Sequence, residues 1–368
     1  MNRTQLYDQH VALGGRIVDF AGWELPVQYP TGPTEEHRRV REAVGLFDID
    51  HMGQVVVEGP DALAFLQKIQ VNDLSTLDVA GARYSLMCYA DGTVVDDIFV
   101  YRLAETTWWV IVNAANRQKD VTWLQSHTAG LAVTVTDISD ETYMLAIQGP
   151  NAQAVLQQLV DVDLGQVPFH TCRQGQLHGI PVLIGATGYT GEYGYELFFA
   201  AEQAVRVWQT LLEAGQPAGI VPCGLAARDS LRFEPCLPLY GHEINASIDP
   251  ISARLGWAVS FTKGEFIGRD TLLKIKLEGP VQRLVGFEMV DRGVPRAEYP
   301  VAVNGQVAGV VTTGMKSPTT DRFVGLAYVP AAHASLDSLI DIVIRDAPKQ
   351  ARVVKTPFYV AAYRRKGK

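Results

Sequence analysis

Apolar positions follow two rhythms along the chain, alternate residues in some stretches and every third or fourth in others, and one coupling of the two occurs twice. Val55-Val56-Val57-Glu58-Gly59-Pro60, followed by Asp61-Ala62-Leu63-Ala64-Phe65-Leu66, returns 90 residues later as Leu145-Ala146-Ile147-Gln148-Gly149-Pro150, followed by Asn151-Ala152-Gln153-Ala154-Val155-Leu156. Each copy predicts a strand, a Gly-Pro break and a helix with apolar residues three and four apart. Further along each half, Trp109 to Ala115 and Tyr195 to Ala201 predict strands, each feeding a helix that carries Trp123 or Trp208. A single Gly-Pro exit from an apolar run is commonplace. Two paired matches in the same order predict an internal duplication, two related α+β units of split β-α-β type.

After Gly279-Pro280 the pattern changes to short alternating strands. Asn304-Gly305 between Val301-Ala302-Val303 and Val307 predicts a tight hairpin, and a small all-β barrel or sandwich is expected from about residue 280 onward. The length of 368 residues exceeds one ordinary core, which favours two or three domains.

A formal charge of −8 repels phosphate, so nucleic acid is not an expected partner, and any anionic ligand must meet a local cluster of arginine. Cys88, Cys172, Cys223 and Cys236 lack the paired spacing of a zinc or dithiol site, so reduced thiols in a cytoplasm and no metal are expected. The N-terminus has no apolar signal core, and no apolar run approaches the roughly 18 residues that cross a bilayer. Export and membrane insertion are therefore disfavoured.

Three separated stretches carry candidate chemistry. In Val94-Val95-Asp96-Asp97-Ile98, strand alternation sends neighbouring side chains to opposite faces, so only one of Asp96 and Asp97 can enter a given pocket. An acid between Tyr84-Ser85-Leu86-Met87 and Ile98-Phe99-Val100-Tyr101 would be desolvated, which suits proton handling; the plainer account is a solvated acid pair after a turn. In Gly188-Tyr189-Thr190-Gly191-Glu192-Tyr193-Gly194-Tyr195-Glu196, the glycines form neither a dinucleotide fingerprint nor a phosphate loop. Glu196, set in an apolar run, offers a planar pair of acceptors; otherwise it is an exposed edge acid. Tyr84 and Tyr189 could face a ligand ring or serve as ordinary core tyrosines. Gly224 to Glu234 reads as a helix that places Leu225, Arg228 and Arg232 on related faces, Arg232 and Asp229 being candidates for structural ion pairs. Asn113 is either a polar ligand contact or a cap for the helix starting near Asn116. His51 is expected to be a hydrogen-bonded structural histidine.

In this order and separation the three stretches resemble the glycine cleavage system T-protein (aminomethyltransferase) family, and the likeness extends from Leu6-Tyr7-Asp8-Gln9-His10 to Val354-Lys355-Thr356-Pro357-Phe358-Tyr359. The resemblance implies an α+β fold of two related split β-α-β (ferredoxin-like) units plus a C-terminal antiparallel β-barrel, three domains around a central opening. The expected bounds are 1–49 with 140–279 for a discontinuous folate-binding domain, 50–139 for the unit carrying the catalytic acid, and 280–368 for the barrel. It further implies transfer of a one-carbon unit from an aminomethylated lipoyl carrier (H) protein to tetrahydrofolate, the acceptor substrate, with release of ammonia. The catalytic role falls on Asp97, with Asp96 as the alternative. Folate contacts fall on Glu196, Arg228, Tyr189, Tyr84, Asn113 and, near the C-terminus, Tyr363. Two other readings of such a fold remain, a folate-dependent demethylase of a small methylated substrate and an iron-sulfur assembly protein. The assembly branch resembles a Lys-Gly-Cys-x-x-Gly pattern, where this chain has Lys263-Gly264-Glu265 and no cysteine.

Overall fold

In the computed structural model residues 1–365 are described; the last three residues of the expected barrel domain lie outside them. The chain opens with a small sheet of β1 (Asn2–Arg3), β2 (Arg16–Phe20) and β3 (Trp23–Gln28) in the order β1-β3-β2, with α1 (Tyr7–Ala12) between its first two strands. Next come α2 (Pro33–Glu42) and β4 (Val44–Asp48).

The first repeated unit runs β5 (Gly53–Glu58), α3 (Ala62–Ile69), β6 (Ala82–Cys88), β7 (Val94–Ala104), β8 (Thr107–Val112), α4 (Arg117–Ser126) and β9 (Thr134–Asp137). The second runs β10 (Thr142–Gln148), α5 (Ala152–Gln157), β11 (Cys172–Leu177), β12 (Ile180–Gly185), β13 (Gly194–Ala200), α6 (Ala204–Gly215) and β14 (Ile220–Pro222). Their sheets have the orders β6-β7-β8-β5-β9 and β11-β12-β13-β10-β4-β14, the same arrangement except that β4 is inserted in the second. The duplicated Gly-Pro exits are also the same backbone solution. Gly59 and Gly149 have φ of +133° and +126°, and a Cβ there would lie 2.3 Å from the Ala132 carbonyl oxygen and 2.6 Å from that of Ala43. Only glycine fits a strand exit this close to neighbouring backbone.

The two sheets pack against each other through one buried cluster, in which Tyr101 of β7 and Ile111 of β8 meet Met144, Leu183 and Phe198 of the second sheet. Ala227 and Leu231 of α7 (Leu225–Phe233) complete it. The predicted C-terminal β-structure is a closed barrel of β15 (Gln282–Met289), β16 (Pro300–Val303), β17 (Gln306–Lys316), β18 (Phe323–Pro330), β19 (Leu339–Ile344) and β20 (Ala347–Val354). Asn304 and Gly305, both at positive φ, make its two-residue turn between β16 and β17. The barrel packs its Leu284, Leu326 and Tyr328 against Leu86 and Cys88 of β6 and against Ile244 and Leu255 of the segment after α7. No helix among the described residues is long and apolar enough to cross a membrane.

Candidate active site

Where the two sheets diverge they leave a cavity of about 170 Å³. Its lining includes Tyr84 of β6, Asp97 of β7, Asn113 just after β8, Tyr189 and Glu196 from the glycine-rich stretch, and Arg228 of α7. Six of the seven expected site residues thus share one wall system, although they span 145 positions of sequence between Tyr84 and Arg228.

The acid pair divides as strand alternation requires. Asp96 is fully buried, whereas Asp97 faces the cavity. Tyr84 Oη donates to Asp97 Oδ2 at 3.0 Å and Asn113 Nδ2 to Asp97 Oδ1 at 2.7 Å. Asn113 also holds the buried neighbour, through Nδ2 to Asp96 Oδ1 at 2.9 Å and its backbone N–H to Oδ2 at 3.0 Å. It does begin a helical segment, but its side chain does not cap it. Burial, followed by the like charge of Asp96, pushes Asp97 up to about 7 against the opposing hydrogen bonds of Asn113 and Tyr84. A carboxyl poised near neutrality can change protonation at little cost.

Glu196, on β13 opposite Ala146, is held by Tyr101 Oη at 3.0 Å and Thr187 Oγ1 at 2.6 Å, both on Oε2. Its Oε1 has no partner among the described residues, so one acceptor is left for a ligand. Arg228 is the complementary case. Its guanidinium carbon lies 4.8 Å from the centre of the Tyr189 ring, and no hydrogen bond or ion pair with a described residue satisfies it. Tyr189 is itself anchored, donating from Oη to the Pro238 carbonyl. Arg232, one turn further, has the structural role its position suggested, with ion pairs to Asp229 at 2.8 Å and Glu243 at 2.6 Å.

His51 differs from its sequence reading. It lines the cavity with its ring edge-on to Phe20 at 5.6 Å and 85°, and its buried Nδ1 has no hydrogen-bond partner among the described residues. Burial and then the Arg228 charge push it down to about 3, so the ring is neutral. Tyr363 is not brought to the cavity. Its ring packs instead with Tyr193 at 5.6 Å and Phe169 at 6.2 Å, an aromatic cluster that holds the C-terminal segment elsewhere. The side chains of Arg364 and Arg365 lie outside the described residues.

Sequence reasoning did not reach several walls: Phe20 and Ala21 at the β2–β3 turn, Met52, Met144, Thr187 and Tyr240. None carries a local signal, since each reaches the cavity by tertiary packing. Among the described residues no group of three or more His, Cys, Asp or Glu side chains has the geometry to hold a metal ion.

Comparison with known proteins follows the same lines. Residues 6–263 match the family described as GCVT N-terminal domain, and residues 282–359 match that described as glycine cleavage T-protein C-terminal barrel domain. Aminomethyltransferases of Symbiobacterium thermophilum and Herpetosiphon aurantiacus are 51% and 48% identical to it, over 99% of this chain and 99% and 100% of their own lengths. A crystal structure of the glycine cleavage system aminomethyltransferase T from Bartonella henselae is similar with a TM-score of 0.92 at 33% identity, over 98% of both chains. With family matches over both its main parts and half its residues shared with a full-length relative, the chain belongs to the glycine cleavage T-protein family.

Proposed function

We infer that the chain is a tetrahydrofolate-dependent aminomethyltransferase of glycine cleavage, taking its one-carbon unit from the aminomethylated lipoyl arm of a carrier (H) protein. One observation carries the site assignment: Asp97, Glu196 and Arg228 arrive from three separate elements at one cavity, and neither Glu196 Oε1 nor the Arg228 guanidinium has a hydrogen-bond partner there among the described residues. A pterin edge presents adjacent N–H donors to an acceptor such as Glu196, and Arg228 suits an electronegative or carboxylate group of the same ligand. Tyr84, Tyr189 and Asn113 complete the contacts in this assignment.

Overall, the carbon–sulfur and carbon–nitrogen bonds of the aminomethyl group break, and two bonds form to folate nitrogens. The two protons displaced from those nitrogens leave on ammonia and the dihydrolipoyl thiol. Tetrahydrofolate supplies the accepting nitrogens. Asp97 holds or takes a proton at its carboxyl oxygen and, ionised, offsets the positive charge that develops on the transferred carbon. The cavity walls hold the two reactants together and account for much of the remaining rate gain.

In the same reading the chain divides into 1–49 with 140–279, 50–139 and 280–368, bounds within which the second sheet, the first sheet and the barrel each fall. Four free cysteines suit a reducing compartment such as the cytoplasm.

Mixing the protein with tetrahydrofolate and aminomethylated lipoyl carrier should release ammonia. Asp97→Asn should lower kcat by about 10²- to 10⁴-fold while folate binding stays near wild type. Glu196→Ala and Arg228→Ala should instead weaken folate binding about tenfold or more each. No ammonia with this donor, but turnover of a free methylated sulfur or amine compound, would replace the proposal with the demethylase.

A further inference from the structure

His51 lines the same cavity as Asp97, Glu196 and Arg228, and the transfer chemistry gives it no task. It belongs to the connection between β4 and β5, where Ile49 and Met52 line the cavity with it. That connection is pinned along its length: Ile49 N–H donates to the Met144 carbonyl at 3.3 Å, Asp50 N–H to Asp48 Oδ1 at 3.1 Å, and Met52 N–H to the Ile49 carbonyl at 3.1 Å. The Phe20 ring meets the imidazole edge-on, so the side chain is braced as well as the backbone.

A histidine that is only 3% exposed has to pair its nitrogens or forgo the hydrogen bonds they had in water. Nδ1 is sealed from solvent and has no partner among the described residues. Nor does a described carboxylate stand ready to hold a charged ring. Asp48 Oδ2 is taken by His10 at 2.8 Å, Thr4 at 2.7 Å and Tyr143 at 3.0 Å, and Asp50 Oδ1 by the Met144 N–H at 3.1 Å. The ring is therefore neutral, in keeping with its lowered pKa, and has a single proton to place. On Nδ1 that proton would make an N–H shut away from every acceptor. On Nε2 it stays on the nitrogen left open to a cavity ligand, and Nδ1 keeps only a lone pair.

The polar walls already sort a ligand edge by sign, since Glu196 Oε1 can only accept and the Arg228 guanidinium can only donate. In a pterin the ring N–H that suits a carboxylate is bonded to the carbon of the ring carbonyl. With Glu196 on that N–H, the next group along the edge is an oxygen that needs a donor. We propose that His51 is a specificity-determining residue for the acceptor substrate: its Nε2–H donates, together with Arg228, to the pteridine carbonyl oxygen, so that the pocket selects a 4-oxo ring over a 4-amino ring. The proposal rests on the folate-transfer reading above. A 4-amino group would set N–H against N–H. The imidazole cannot become an acceptor for it without moving its proton to the sealed Nδ1, so the choice of tautomer becomes a choice of ligand.

Anaerobic titration calorimetry of the full chain with tetrahydrofolate and with tetrahydroaminopterin, its 4-amino counterpart, reads this preference without turnover. His51→Leu should bind tetrahydrofolate about tenfold more weakly and lose about tenfold of the wild-type preference for the 4-oxo ring. His51→Gln, whose amide can present either N–H or oxygen, should keep tetrahydrofolate affinity within about threefold and still lose the preference. The part of the preference that Glu196 supplies is common to all three proteins and cancels in the comparison. A histidine that only packs would lower both affinities alike in its variants. Nitrogen-15 NMR of histidine-labelled protein adds a direct readout: the wild type should show a neutral Nε2–H ring, missing from His51→Gln, whose signals move when tetrahydrofolate binds. This signal decides if His51→Leu does not fold. An unchanged preference in His51→Leu, an Nδ1–H or doubly protonated ring at neutral pH, or a ring signal unmoved by bound tetrahydrofolate overturns the proposal alone. A wild type that binds neither ligand overturns the folate reading and the proposal with it.

Discussion

Buried acids dominate this molecule at the scale of single residues, and Asp50 shows their effect on stability in isolation from the chemistry. Its Oδ1 accepts the Met144 backbone N–H at 3.1 Å. Burial and then the charge of Asp48 push it up to about 9. A folded-state value above the unfolded one means that the native protein keeps a proton the unfolded chain releases. The associated stability is fully present below about pH 4 and is lost as the pH rises toward 9, at up to about 1.4 kcal/mol per pH unit. Asp50→Asn keeps an oxygen for Met144 and removes the titration. Urea unfolding should therefore show a smaller loss of stability between about pH 5 and pH 8 in Asp50→Asn than in wild type. Equal losses in the two proteins would mean that Asp50 is already ionised in the fold.

At the scale of elements, the placement of α7 decides whether Arg228 reaches the cavity. The helix begins against β3: Gly224 N–H donates to Glu36 Oε2 at 2.8 Å, and Glu36 Oε1 accepts from the Tyr29 N–H at 2.6 Å, so one buried carboxylate ties the two together. A Cβ on Gly224 would lie 2.5 Å from the Val27 carbonyl oxygen and 2.7 Å from the Gln28 nitrogen. Both are backbone atoms with no side-chain freedom to yield. Gly224→Ala should displace the first turn of α7, cost about 1–3 kcal/mol in unfolding free energy and weaken folate binding through Arg228. The acid limb of the kcat/KM profile, which the role proposed for Asp97 would set, should not move, because β7 is untouched. Wild-type folate affinity in Gly224→Ala would show that this close approach does not position Arg228.

For the whole molecule, the barrel is joined to the rest through a buried charged centre. Glu234, just after α7, accepts from Arg41 Nη2 of α2 at 2.8 Å, from Ser317 Oγ at 2.6 Å and from Thr319 Oγ1 at 2.7 Å, the last two following β17 of the barrel. Arg41 also donates to Glu192 Oε1 at 3.1 Å and to the Thr190 carbonyl at 2.7 Å, within the stretch that carries Tyr189 and Glu196. Burial alone would raise Glu234, but the hydrogen bond from His37 and the charges of His37 and Arg41 hold it at about 2. Its contribution to stability is thus present above the ordinary glutamate range and is lost only as the pH falls toward 2. Replacing Arg41 leaves two buried carboxylates uncompensated. Arg41→Met should cost about 3–5 kcal/mol at neutral pH, measured by denaturant unfolding. A loss below about 1 kcal/mol would reduce the centre to a surface-like ion pair.

What the sequence determined by itself is whatever a few neighbouring residues can enforce. Strand alternation separated Asp96 from Asp97, the twin Gly-Pro exits marked two units of the same strand order, Asn304-Gly305 made a hairpin, and helical spacing put Arg228 and Arg232 on related faces of one helix. Tertiary structure alone decided the rest. The ring of Tyr363 went to an aromatic cluster away from the cavity, His51 came to the cavity wall with a nitrogen unpartnered among the described residues, and Tyr101 and Thr187 took hold of Glu196. The Arg41–Glu234 centre likewise joins residues that no periodicity relates. The physical reason is range: propensity and periodicity act over one turn or a few strand residues, whereas desolvation and hydrogen bonding of buried polar groups depend on which distant elements close over them.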